Sequence, residues 1–349
     1  MTLPSSTLLG LTLVLVAGLM CGIFSMPMKF MGRWAWENVW AIFIFVSCVA
    51  LPVVTTYLTA GNFVAVLRDT PSKAVIAACV AGFAWGFGAI MFGQGVSAIG
   101  VAMSNTLVLA ISAALGSFLP MLVLAPERLH QPQGKAILCG TAIGLLGIAC
   151  FGLAGFAKER SQSSEMEEVR GAMVGTARPF GVGLLLCAGA GVLSAVLNIG
   201  YSLAQPIVRV AQAHGDSSFA GSNIVWLLAL GSGAIPNLCF CAFLLTKNST
   251  WSRYSVPRPW KLYIAAILMG LVWGGDISVY GYASPHLGKL GPAIGWPLKL
   301  IAGLVTANLA GIMVGEWKST RVRDRRWMVV GFAVLVVAAA VLGWSSTLA

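Results

Sequence analysis

Residues 74–95 read AVIAACVAGFAWGFGAIMFGQG, a stretch without one charged side chain. At about 1.5 Å per residue, a helix of that length crosses the roughly 30 Å hydrocarbon core of a bilayer. Working outward, nine more runs of this kind can be marked. The ten spans are expected near 7–28, 37–60, 74–95, 98–124, 136–157, 179–206, 221–246, 261–284, 291–315 and 327–346. Over the 349 residues, 58 % are apolar, 9 % are charged and the mean hydropathy is +0.86. So few charges cannot cover the surface of a soluble protein of this size. This excludes a soluble enzyme, a nucleic-acid binder and a disordered chain. A transmembrane barrel would alternate apolar and polar residues, so it is excluded too. The expected fold class is an all-α polytopic membrane protein with ten transmembrane helices.

The same stretch holds the first copy of a repeat. Gly82-Phe83-Ala84-Trp85-Gly86 returns as Gly270-Leu271-Val272-Trp273-Gly274, 188 positions later. At that offset Gly93 also meets Gly281, and Gly100 meets Gly288. A weaker echo joins Asn38-Val39-Trp40 to Asn223-Ile224-Val225-Trp226. Five matches without a gap divide the chain into a first five-helix repeat (1–157), a cytoplasmic linker (158–178) and a second five-helix repeat (179–349). Five is odd, so consecutive repeats enter the membrane from opposite sides. Inverted halves are the signature of an alternating-access carrier, with a cavity expected between the halves.

Orientation follows from the loops. Those after the odd-numbered spans hold fifteen of the 22 Lys and Arg, against six on the other side, with Lys299 inside a span. The basic side is cytoplasmic, so both termini are expected on the periplasmic side. The first run lacks a basic leader and is read as a permanent span rather than a signal peptide. The eight cysteines lie in apolar runs and are expected to be small core residues.

Enzyme motifs are absent. There is no H-E-x-x-H, G-x-S-x-G, Walker A loop or G-x-G-x-x-G, and His130, His214 and His286 stand too far apart in sequence to suggest a metal site. No cofactor or metal is expected. Ionisable groups inside spans cost about 2.5–3.5 kcal/mol on insertion scales, so each asks for a function. Asp276 in span eight and Lys299 in span nine are expected at the same depth, roughly 12–14 Å below the outer surface. They read either as a static ion pair or as a proton- or substrate-responsive pair, and the proton-coupling role is the one the reading adopts. Pro292 and Pro297 bracket that region, and either a break or a simple kink of span nine is expected near Pro297.

A sugar asks for amides and hydroxyls on its OH groups and aromatic faces on its C–H side. Trp85, Gln94, Asn105, Asn198, Tyr201, Trp273 and Trp296 are the candidate substrate-binding residues, with helix packing as the alternative for each. Trp34, Trp36, Trp260, Trp317 and Trp327 read as interfacial anchors. Glu37, at the start of span two, reads as a charge that suits a helix N-terminus or as a gate with Lys29.

Trp34-Ala35-Trp36-Glu37-Asn38-Val39-Trp40 after Pro27-x-Lys29 resembles the bacterial L-rhamnose–proton symporter family. So do Trp85-Gly86-x-Gly88 with Gly93, and Gly315-Glu316-Trp317 at the end of span nine. The resemblance implies membership of the drug/metabolite transporter superfamily, with ten helices in two inverted halves. It also implies uptake of L-rhamnose or a related small neutral sugar across the inner membrane, with protons as the coupling ion. The Asp276/Lys299 pair departs from the family pattern, in which an uncharged amide and a histidine are expected. An exporter or exchanger of another metabolite on the same scaffold is the alternative reading. A non-transporting receptor would instead have tightly packed halves.

Overall fold

The computed structural model describes residues 5–99, 101–166, 179–313 and 322–348. Among these residues there are helices and no strands. In hydrocarbon a helix alone satisfies its backbone polar groups within one segment. Ten helices are long and apolar enough to cross a membrane: α1 (Ser5–Met28), α2 (Trp36–Thr59), α3 (Ser72–Gly95), α4 (Met103–Val123), α5 (Pro132–Gly155), α6 (Phe180–Ala213), α7 (Ser218–Lys247), α8 (Trp260–Leu287), α9 (Gly291–Met313) and α10 (Arg326–Leu348). The chain is a multi-pass membrane protein, as the apolar runs predict.

Proline accounts for several departures in detail. The α-helix of α1 ends at Ile23, and Met26–Phe30 follow as a 3-10 turn around Pro27. Within α2 the stretch Phe45–Ala50 widens to a π-helix just before Pro52. α6 is interrupted at Ala204 and resumes as Gln205–Ala213, with Pro206 in its first turn. By contrast α9 runs unbroken through Pro297. Helix continues beyond α5 to Met166, so the first part of the expected linker is helical, while 167–178 lie outside the described residues.

The chain forms two compact units, and each takes helices from both halves of the sequence. The first comprises Met1–Phe87 and Val196–Leu287, the second Gly88–Ala195 and Gly288–Ala349. In the first, α1 lies along α8, and α2 contacts both α7 and α8. In the second, α5 lies along α10, and α4 touches both α5 and α9.

Within the first unit the repeated motif makes reciprocal contacts. Gly82 and Gly86 of α3 are pressed onto the α7 backbone at Ala229 and Gly233. Gly270 and Gly274 of α8 are pressed onto α2 at Val46 and Ser47. A Cβ at Gly82 would fall onto the Ala229 carbonyl. Such small-residue seats let backbones approach where lipid supplies no hydrophobic drive. Gly82→Val is therefore expected to destabilise the fold by about 1–3 kcal/mol through overpacking. Thermal unfolding in detergent measures this, with Gly181→Val, at a position open on all sides, expected to stay near wild type.

Candidate functional site

The two tryptophans of the repeat meet. Trp85 and Trp273 stack with ring centroids 5.4 Å apart and planes 13° from parallel. Phe43 sets its ring edge-on to Trp273 at 5.7 Å, and Trp40 and Trp36 extend the column along α2. The column is fixed by Asn237, whose Oδ1 accepts from the Trp40 indole at 3.2 Å. Its amide donates to the Gly86 carbonyl at 3.0 Å.

A second group gathers around the end of α8. Pro285 has no N–H to offer the Gly281 carbonyl four residues before it. The Tyr201 hydroxyl at 2.6 Å and the Ser222 hydroxyl at 3.0 Å donate to that carbonyl instead. Tyr201 stacks on Trp226 at 4.6 Å. The neighbouring Tyr280 hydroxyl donates to Asn198 Oδ1 at 2.6 Å. Asp276 lies one turn before Tyr280 on α8 and is fully buried. Of the expected substrate residues in this unit, the structure thus joins Trp85 to Trp273, and puts Asn198 and Tyr201 in one aromatic and hydrogen-bonded group.

Polar clasps join the two ends of α2 and α7 and the segments that flank them. At one end Glu37, only 5 % exposed, accepts from the Thr250 hydroxyl at 2.8 Å and the Asn248 amide at 3.0 Å. The Asn38 amide donates to the Thr250 carbonyl at 3.0 Å, and the Tyr254 hydroxyl donates to the Asn38 carbonyl at 3.2 Å. Burial pushes the Tyr254 phenol up to about 12, so it remains a donor at neutral pH. Arg33 donates to the Pro257 carbonyl at 2.8 Å. The Lys29 side chain lies outside the described part of the structure. At the other end the Asn223 amide donates to Thr59 Oγ1 at 3.2 Å, the Gly61 N–H donates to Asp216 at 2.9 Å, and His214 pairs with Asp69 at 2.9 Å.

The remaining expected residues belong to the second unit. Gln94 and Asn105 are half-buried. Trp296 is 5 % exposed, and its indole N–H donates to Ser112 Oγ at 3.0 Å. Lys299 is 2 % exposed, with Nζ over the Trp296 ring at 5.2 Å from its centroid. A cavity of about 500 Å³ among α4, α5 and α6 has an almost wholly apolar wall including Met103, Leu107 and Leu153. Such a wall gives a sugar few partners.

Some readings need revision. Trp34 is buried and edge-on to Tyr254 and Tyr263 rather than a lipid-facing anchor, because the loop after α7 folds over it. Trp260 and Trp327 are exposed as anchors should be, and Trp317 lies outside the described residues. Cys139 and Cys239 are exposed on their helices rather than in the core. Sequence reasoning missed Asn237, Ser222, Asn248 and Thr250, although Pro285 pointed to a free carbonyl that a hydroxyl would have to fill.

With this geometry the chain can be set beside known proteins. The family described as L-rhamnose-proton symport protein (RhaT) matches residues 3–347. The chain belongs to that family. Proteins named L-rhamnose-proton symporter from Yersinia pestis (strain Pestoides F) and Yersinia pseudotuberculosis (serotype O:1b, strain IP 31758) are similar to it. Each is 25 % identical over 346 residues, covering 97 % of this chain and 98 % of the relative. A solved crystal structure matches with a TM-score of 0.61 at 18 % identity, covering 97 % of this chain and 96 % of its own, which shows a shared fold. Family members are transporters, not enzymes.

The Glu37 clasp can be probed by Thr250→Val, which removes one donor from a buried carboxylate. Hydrogen bonds to charged groups are worth about 1.5–3 kcal/mol, so thermal unfolding should move down by that order. Thr250→Ser, which keeps the hydroxyl, should restore most of it.

Proposed function

We propose that the chain is a proton-coupled symporter that imports L-rhamnose or a related small sugar across the bacterial inner membrane by alternating access. The observation that carries this reading is the family match across almost the whole chain, on ten apolar helices. The reciprocal seats of the two Gly-x-x-Trp-Gly motifs, and the stack of Trp85 on Trp273, support two five-helix repeats (1–157 and 179–349) of opposite topology. With the basic loops cytoplasmic, both termini are periplasmic. Glu37 and Lys29 then belong to a cytoplasmic gate, and the Asp69–His214 and Gly61–Asp216 contacts to a periplasmic one. Alternating access requires that the two ends of the α2–α7 pair loosen in turn.

The sugar would be held by the Trp85 and Trp273 faces and by amides and hydroxyls drawn from Gln94, Asn105, Asn198 and Tyr201. Each hydroxyl of a sugar needs a planar amide or a hydroxyl in return once it leaves water. Asp276 and Lys299 are the proton-coupling residues of this reading. Intramembrane carboxylates that gain and lose a proton are the usual relay of such carriers. Protons are the coupling ion, and no further cofactor is required.

Uptake of labelled L-rhamnose into proteoliposomes tests the proposal. An inward proton gradient should stimulate uptake several-fold, and collapsing it should return uptake to the equilibration rate. Asp276→Asn, which cannot take up a proton at that site, should still equilibrate sugar but lose the stimulation. Uptake indifferent to the gradient in wild type defeats the symport reading. Full stimulation in Asp276→Asn removes that residue from the coupling step.

A further inference from the structure

Trp296 was expected to lend a sugar its ring. Its surroundings in the second unit give it another task. The indole N–H is committed to Ser112 on α4. Gly116, one turn further along α4, lies so close to the ring that a Cβ there would strike Cδ1. The Lys299 ammonium, one turn along α9, sits over the ring at 5.2 Å. A third contact from α4 reaches the α9 backbone one turn before Pro297. Pro297 cannot donate to the Ala293 carbonyl, and the Ser117 hydroxyl does so at 2.9 Å. Ser117 also bonds Thr141 of α5 at 2.9 Å. Ser112, Gly116 and Ser117 thus form a cradle that fixes the ring and the α9 backbone beside it.

We infer that Trp296 is a positioning residue for Lys299: its locked ring face seats the ammonium, and it does not stack on the substrate. A buried ammonium loses its water, and an aromatic face replaces part of that solvation through the ring quadrupole. The seat holds the ammonium of Lys299 over the ring, and through it bears on the proton-coupling role proposed above, on which this inference rests.

Two measurements on the full-length chain separate the possibilities. The first is a double-mutant cycle in thermal unfolding with Trp296→Leu, Lys299→Met and the combination. It is independent of transport. A seat predicts non-additive losses, and additive losses overturn it. The second compares L-rhamnose binding with gradient-stimulated uptake. Trp296→Leu is expected to cut the stimulation about tenfold, the order of a desolvated cation–π contact, with the binding constant unchanged. Trp296→Phe, which keeps a ring face, is expected to recover most of the stimulation. Weakened binding in Trp296→Leu with intact stimulation would instead make Trp296 a sugar platform and overturn the inference. A wild type that ignores the gradient overturns the transport reading and the coupling role together, while the cycle still judges the seat.

Discussion

A backbone carbonyl released by proline inside a membrane must find another donor, because hydrocarbon supplies none. Two such carbonyls organise this molecule. Pro285 releases Gly281, and Tyr201 and Ser222 converge on it from α6 and α7. Pro297 releases Ala293, and Ser117 reaches it from α4. In each case an aromatic contact lies nearby: Tyr201 stacks on Trp226 in the first unit, and in the second Ser112, on the same helix as Ser117, accepts from the Trp296 indole of α9. The need to satisfy one acceptor thus fixes which helix faces touch, and with them the rings and ionisable groups that those faces carry.

The aromatic residues show the same economy. Trp85 and Trp273 use one face on each other, and Trp296 carries a cation on its ring. A tryptophan in a span is thus first a packing and solvation device. Whether it also serves a ligand depends on which face stays uncommitted.

The fold was largely legible. Ten apolar runs gave ten helices, since span length is set by bilayer thickness and needs no tertiary information. The pairing of Trp85 with Trp273 was foreshadowed by their common offset of 188. The fine structure was less so. Pro52, Pro206 and Pro297 look alike in sequence, yet they accompany a π-stretch, a break and an unbroken helix. At Pro297 the carbonyl that the proline leaves free is taken up by a serine 180 positions away in the chain. For the same reason Glu37 stood out as a carboxylate at the head of a span, while its donors Asn248 and Thr250 looked like ordinary loop residues. The division into two units was hidden as well, because two of its three boundaries fall inside α3 and α6, where no change of composition marks them.

The glycine seats also order the birth of the protein. When the ribosome has threaded only the first five helices into the bilayer, Gly82 and Gly86 still lack their seat, because α7 has not been translated. The α2 surface that will receive Gly270 and Gly274 is likewise waiting for α8. Insertion can proceed helix by helix, but the first unit closes only after residue 274 has entered the membrane.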